Sequence, residues 1–175
     1  MATKKPIWIL IGTVVIMAWT LASATQASAQ TYTMKCRETG HQPKVHVIEV
    51  GDVPGHIVLV GENAGVLSCD DGSIATTSTK FMTDQTKGSG KAQYYWMVTY
   101  EDGATTWSKG INTTTSTPDG KTVRWEFTGE YIMGTGRFQG IKGSASGAGK
   151  RLTPTPGPGA QYYYDSTITY TLPSK

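Results

Sequence analysis

The sequence predicts an all-β protein built as a single antiparallel up-and-down barrel of about eight strands. Three observations carry this. Segments such as Tyr94–Tyr100 and Thr122–Thr128 alternate ring-bearing or branched side chains with polar ones, the two-residue period of a strand with one packed face. No stretch beyond residue 29 sustains a 3.6-residue apolar period, and the 21 glycines and 8 prolines interrupt the chain too often for long helices. Turn chemistry recurs between the alternating segments, at Gly51–Gly55, Asp70–Gly72, Glu101–Gly103 and Pro118–Gly120. Glycine there suits positive φ and proline a φ near −65°.

The chain begins with an export pattern. Lys4 and Lys5 precede an apolar run from Ile7 to Leu21, and Ala27-Ser28-Ala29 places small residues where a signal peptidase reads. Residues 1–29 therefore read as a secretory signal peptide, and the product as exported, periplasmic or extracellular. An uncleaved membrane anchor is the alternative, because the run approaches the roughly 17 apolar residues that span a bilayer. Lysines rather than an arginine pair stand in front, and Gln30 rather than a cysteine follows the cut, so neither twin-arginine export nor lipid attachment is expected there. Without the leader and its two lysines, 146 residues remain, with 14 basic and 13 acidic groups. A chain of that length forms one domain over 30–175 and buries about 68–70% of its unfolded surface. Its scattered, nearly balanced charges give no case for nucleic-acid binding. Membrane contact is expected only through an uncleaved leader, and the protein as a monomer or homodimer.

From the N-terminal side the candidate strands are Tyr32–Arg37, Lys44–Val50, His56–Val60 and Ile74–Met82. The clearest follows, with Tyr94, Trp96, Val98 and Tyr100 on one face. Ala104–Gly110 comes next, then Thr122–Thr128, with Val123, Trp125 and Phe127 on one side and Arg124 and Glu126 on the other. Gly136–Lys142 is a weaker candidate. The last strand sets Tyr162, Tyr164, Ile168, Tyr170 and Leu172 against Asp165, Thr167, Thr169 and Thr171. Residues 143–160, rich in glycine, proline and serine, read as a mobile loop between the final two strands. A barrel is preferred to a sandwich because no terminal strand carries the proline or lysine clustering that blunts an open edge.

Cys36 and Cys69 are the only cysteines, and in an oxidising compartment they are expected to form a disulfide, worth about 3–4 kcal/mol for a loop of that length. Two free thiols are the alternative. Neither sits in a C-x-x-C pair, so redox and zinc motifs have little support. The histidines His41, His46 and His56 lack the close spacing of metal ligands. Pairing about the Gly51–Gly55 turn would set His46 opposite Val60 and Val50 opposite His56. No metal and no cofactor is expected. Glu49, Glu126, Glu130 and Asp165 fall on polar faces, so no catalytic residue is assigned. An enzyme would need a buried carboxylate or histidine aimed into the interior.

The candidate ligand-binding residues are the inward rings Tyr94, Trp96, Trp125, Phe127 and Tyr164. Core filling accounts for such rings without any ligand. Lining a lumen is a second use for them, and an exposed glycan platform on Trp107 and Tyr163 a third. The preferred reading is a lumen that holds a small hydrophobic or aromatic molecule. Asn112-Thr113-Thr114 fits the N-glycosylation pattern, a short match that is frequent by chance.

The string Gly134-Thr135-Gly136-Arg137-Phe138-Gln139-Gly140-Ile141-Lys142-Gly143 lacks the following helix that a phosphate loop needs. It reads instead as a tight turn and a strand in which Phe138 packs. With the strand before it and the aromatic strand after it, from Trp125 to Leu172, it resembles the C-terminal part of the allene oxide cyclase and dirigent type of eight-stranded barrel. Calycin barrels of the lipocalin kind are the nearest confusable architecture. The resemblance implies a lumen for an apolar or aromatic small molecule. In the plant members that lumen steers an epoxide cyclisation or the coupling of radicals formed elsewhere. Their polar catalytic residues find no matched positions here, and the segment after Gly143 departs from their pattern, so a stereochemical guide enzyme, like a structural envelope protein, stands as an alternative.

Overall fold

A computed structural model describes residues 30–154 and 157–174. The predicted leader lies outside the described residues. Eight strands, β1 (Thr31–Glu49), β2 (His56–Cys69), β3 (Ile74–Thr86), β4 (Ser89–Tyr100), β5 (Thr105–Ser116), β6 (Val123–Gly134), β7 (Lys142–Arg151) and β8 (Gln161–Thr171), follow one another in space as they do in sequence. Every neighbouring pair is antiparallel, and β8 pairs back onto β1, so the sheet closes into a barrel without edges.

The strict alternations place their side chains as expected. Tyr94, Trp96, Val98 and Tyr100 are all buried, as are Tyr162, Ile168 and Tyr170 on β8. His46 faces Val60, the register that pairing about the Gly51–Gly55 turn requires. The predicted turns also fall at hairpins, with Gly72, Gly103 and Gly120 at φ 84°, 78° and 67°.

Three expectations are corrected. Tyr32–Arg37 and Lys44–Val50 belong to one strand, β1, interrupted by a register shift between His41 and Lys44. Pro43 sits in that gap and has no N–H to offer a ladder. Gly136–Lys142 is not a strand except for Lys142, which starts β7. A 3-10 turn over Gly136–Phe138, started by Gly136 at φ 58°, folds Phe138 back under the barrel. The third concerns residues 143–160, read as a loop. Their first half is strand β7, paired to β8 over its whole length and to β6 from Ser144 to Lys150. It contains no aromatic or β-branched residue, the usual mark of a strand, because its neighbours need it small. A side chain at Gly147 would strike the Phe127 ring and one at Gly149 the Tyr164 ring.

The barrel interior has two zones. At the end that carries the β2–β3, β4–β5 and β6–β7 connections, Met34, Leu67, Val98, Ile141 and Ile168 form an apolar floor. Phe138, 3% exposed, closes it against Tyr100 and Tyr170 with ring centroids 4.7 and 5.8 Å away. The other half of the interior, toward the β1–β2, β3–β4, β5–β6 and β7–β8 hairpins, is not filled.

Candidate functional site

The unfilled half is a cavity whose lining includes all five rings read from the sequence, Tyr94, Trp96, Trp125, Phe127 and Tyr164. Counted as room for the centres of water molecules, it measures about 80 Å³. A single water needs about 10–15 Å³ on that count, so the space takes several waters or one ring-bearing ligand of modest size. Trp125 stacks on Tyr164 with centroids 5.2 Å apart, and Phe127 stands edge-on to Tyr164 at 5.4 Å. Tyr94 meets Phe127 edge-on at 6.1 Å. Trp125, Phe127 and Tyr164 point inward yet keep partial exposure, because the surface they show faces the cavity.

Polar side chains complete the lining. Glu38 follows Met34 and Cys36 on the inward face of β1 and is only 6% exposed. Tyr162 donates its hydroxyl to Glu38 Oε1 at 2.7 Å, and Thr77 donates to the same oxygen at 2.8 Å. Burial pushes the Glu38 carboxyl above the usual carboxylate range, and these hydroxyls recover only part of the shift. The Trp96 indole N–H lies close enough to favour the charged form slightly, without reaching hydrogen-bond geometry. Gly40 and Gly65 make the arrangement possible: a Cβ at the first would overlap the Tyr162 hydroxyl, and one at the second would crowd Glu38 and Thr77.

Several buried polar atoms in this zone have no partner among the described residues: Gln42 Oε1, Asn63 Oδ1, the Tyr94 hydroxyl, Trp96 Nε1 and Asn112 Oδ1. Asn112 donates through Nδ2 to the Tyr164 hydroxyl at 3.3 Å. Its side chain lies inside the barrel, so the glycosylation pattern it begins is not presented to solvent in the folded protein. The Tyr94, Tyr162 and Tyr164 hydroxyls are held in their neutral form chiefly by burial. The site is therefore an aromatic slot bordered by buried polar atoms without partners, by a carboxyl whose pKa burial raises and by the Arg151 guanidinium.

Cys36 and Cys69 form a disulfide between directly paired positions of β1 and β2, two residues from Glu38. The histidines do not converge. His41 and His46 are exposed, while His56 sits between Asp52 and Asp84, Nδ1 at 2.5 Å from the first and Nε2 at 2.9 Å from the second. Asp52 and Asp84 lie on opposite ring nitrogens, and among the described residues no group of three histidine, cysteine, aspartate or glutamate side chains is arranged to hold a metal ion. Trp107 on β5 and Tyr163 on β8 face outward but stand three strands apart around the barrel, too far for one platform.

Sequence reasoning missed Glu38, Gln42, Asn63 and Arg151 in the lining. For Glu38 a signal was present: if Cys36 turns inward, the two-residue period takes Glu38 with it. Arg151 fell in the segment read as loop.

No family model matches the chain, and no curated protein matches it. Among solved structures, it is similar to the pterocarpan synthase dirigent protein GePTS1, with a TM-score of 0.50 at 11% identity over 90% of this chain and 99% of that one. The pterocarpan synthase dirigent protein PsPTS1 gives 0.46 at 11% identity over 85% and 98%. The likeness to the first is one of fold, a dirigent-like barrel, as the Gly134–Gly143 string and its flanking strands implied.

Proposed function

We propose that this protein is exported and binds a small hydrophobic or aromatic molecule in the unfilled half of its barrel, toward the β1–β2, β3–β4, β5–β6 and β7–β8 hairpins. The observation that carries the reading is the coincidence of rings with unpartnered polar atoms. Buried polar groups are nearly always hydrogen-bonded, since an unsatisfied one costs about 1–3 kcal/mol. Here five of them, on Gln42, Asn63, Tyr94, Trp96 and Asn112, surround a single aromatic slot. A ligand with a flat apolar body and polar substituents would satisfy both sets. Export is supported by the leader pattern of residues 1–29 and by the Cys36–Cys69 bridge, which persists in oxidising compartments. Native mass spectrometry of the protein recovered from the exported fraction tests both parts. A leader-free mass beginning at Gln30 with a bound small molecule supports the reading, and an empty lumen that takes up no member of a panel of small aromatics contradicts it.

A second reading has one observation of its own. A buried carboxylic acid beside aromatic rings is what a stereochemical guide needs to hold a reactive ligand and hand it a proton. The fold likeness to a dirigent protein is in keeping with it but carries no activity over. Turnover lost in Glu38→Gln with ligand affinity unchanged would favour the guide over the simple binder.

A further inference from the structure

Apart from tyrosines, the cavity is lined by two ionisable side chains, Glu38 and Arg151, and they do not compensate one another. No ion pair joins them. Burial raises the Glu38 pKa, whereas a guanidinium keeps its charge throughout the physiological range. The guanidinium stands at the last residue of β7 and takes part in no ion pair among the described residues.

Arg151 is 8% exposed. Its Nε donates to the Thr153 carbonyl at 3.0 Å and its Nη2 to the Pro154 carbonyl at 3.1 Å, and its remaining N–H groups have no partner among the described residues. No acidic side chain neutralises it. The ion pairs of the described residues join Arg37 to Asp165, His56 to Asp52 and Asp84, Lys80 to Glu62 and Arg137 to Asp102. Positions 1–29, 155, 156 and 175, outside the description, contain neither aspartate nor glutamate. Taking a charge out of water without a counter-ion costs several kcal/mol, and burial lowers the Arg151 pKa accordingly. A ligand carboxylate offsets that cost, because charge-assisted hydrogen bonds to a guanidinium are about twice as strong as neutral ones. Below Arg151 the cavity is lined by the Trp125, Phe127 and Tyr164 rings and bordered by Asn63 and Asn112.

We propose that the lumen selects a small aromatic monocarboxylate, with its carboxylate on Arg151 at the hairpin end and its ring among Trp125, Phe127 and Tyr164. This rests on the lumen-binding reading and adds the charge and class of the ligand. The test titrates the tryptophan fluorescence of the folded protein at pH 7 with 3-phenylpropanoate and, separately, with its uncharged isostere 3-phenylpropanamide. The acid is expected to bind at least tenfold more tightly than the amide. Arg151→Gln brings that ratio close to one, and Arg151→Lys, which keeps the charge, retains a preference for the acid. Equal affinities for acid and amide in the wild type overturn the carboxylate proposal and leave lumen binding standing. Saturation by neither overturns both. Should Arg151→Gln lose its cooperative melt through the carbonyls of Thr153 and Pro154, the wild-type ratio and Arg151→Lys decide, and a lysine variant that prefers the amide contradicts the proposal.

Discussion

Tyr162 on β8 donates its hydroxyl to the Glu38 carboxyl on β1 across 2.7 Å, joining two buried residues 124 positions apart in the chain. The bond seats an acid inside an aromatic lumen, and its consequences are measurable even with no ligand in hand.

The first is a pH dependence of stability. Glu38 has a higher pKa folded than unfolded, so its contribution is fully present below its ordinary value of 4.5 and is lost as pH rises toward the folded value. Each pH unit within that window costs about 1.4 kcal/mol. Glu38→Gln keeps an acceptor for Tyr162 and Thr77 but has no proton to lose. Urea unfolding is expected to give equal stabilities for the two proteins at pH 4 and a more stable variant at pH 8. A variant as stable as the wild type at pH 4 but less stable at pH 8 would show that the fold favours the charged carboxylate, against a raised pKa.

His56 titrates in a different setting. The Asp84 and Asp52 carboxylates on its two ring nitrogens raise its pKa above the ordinary 6.5. The stability it supplies is present below 6.5 and lost as pH rises through its folded pKa. NMR titration is expected to show the elevated value in the wild type and a fall toward 6.5 in Asp84→Asn.

The Cys36–Cys69 bridge closes a loop with a sequence separation of 33 between paired strands. Replacing both residues by alanine is expected to cost about 3–4 kcal/mol by chemical denaturation. A loss below about 1 kcal/mol would mean that the unfolded chain already holds this segment together without the bridge.

Glycine in a strand is ordinarily a weak point, and alanine there is expected to stabilise. At Gly149 the sign reverses, because a Cβ would run into the Tyr164 ring and the Tyr163 carbonyl. Gly149→Ala is expected to destabilise by about 1–3 kcal/mol, the cost of overpacking, and to shift the near-ultraviolet signal of the tyrosines. A neutral or stabilising result would show that the ring does not lie over β7.

How much of this was legible in the chain depends on where the signal lives. Tyr94–Tyr100 and Val123–Phe127 carry their facing in their own composition, since large side chains alternate with polar ones, and both faces are placed as read. β7 has no such signal. Its Gly-Ser-Ala pattern is a strand only because Phe127 and Tyr164 on its neighbours occupy the space its side chains would fill, a tertiary fact that no local window contains. The same misreading hid Arg151, the charge at the mouth of the lumen. Glu38 was hidden by its chemistry, because a carboxylate on a barrel strand is expected outside. Only the inward turn of Cys36, two residues earlier, betrays it.

Trp96 and Trp125 line the lumen, whereas Trp107 faces away from it on β5. A protein labelled with ¹⁵N at its tryptophan indoles and titrated with 3-phenylpropanoate reads the occupied space without ambiguity. The indole signals of Trp96 and Trp125 are expected to move together and saturate while that of Trp107 stays in place. Movement confined to Trp107, or no saturable movement of the two inner signals with any of a panel of small aromatics, would contradict a ligand-binding lumen.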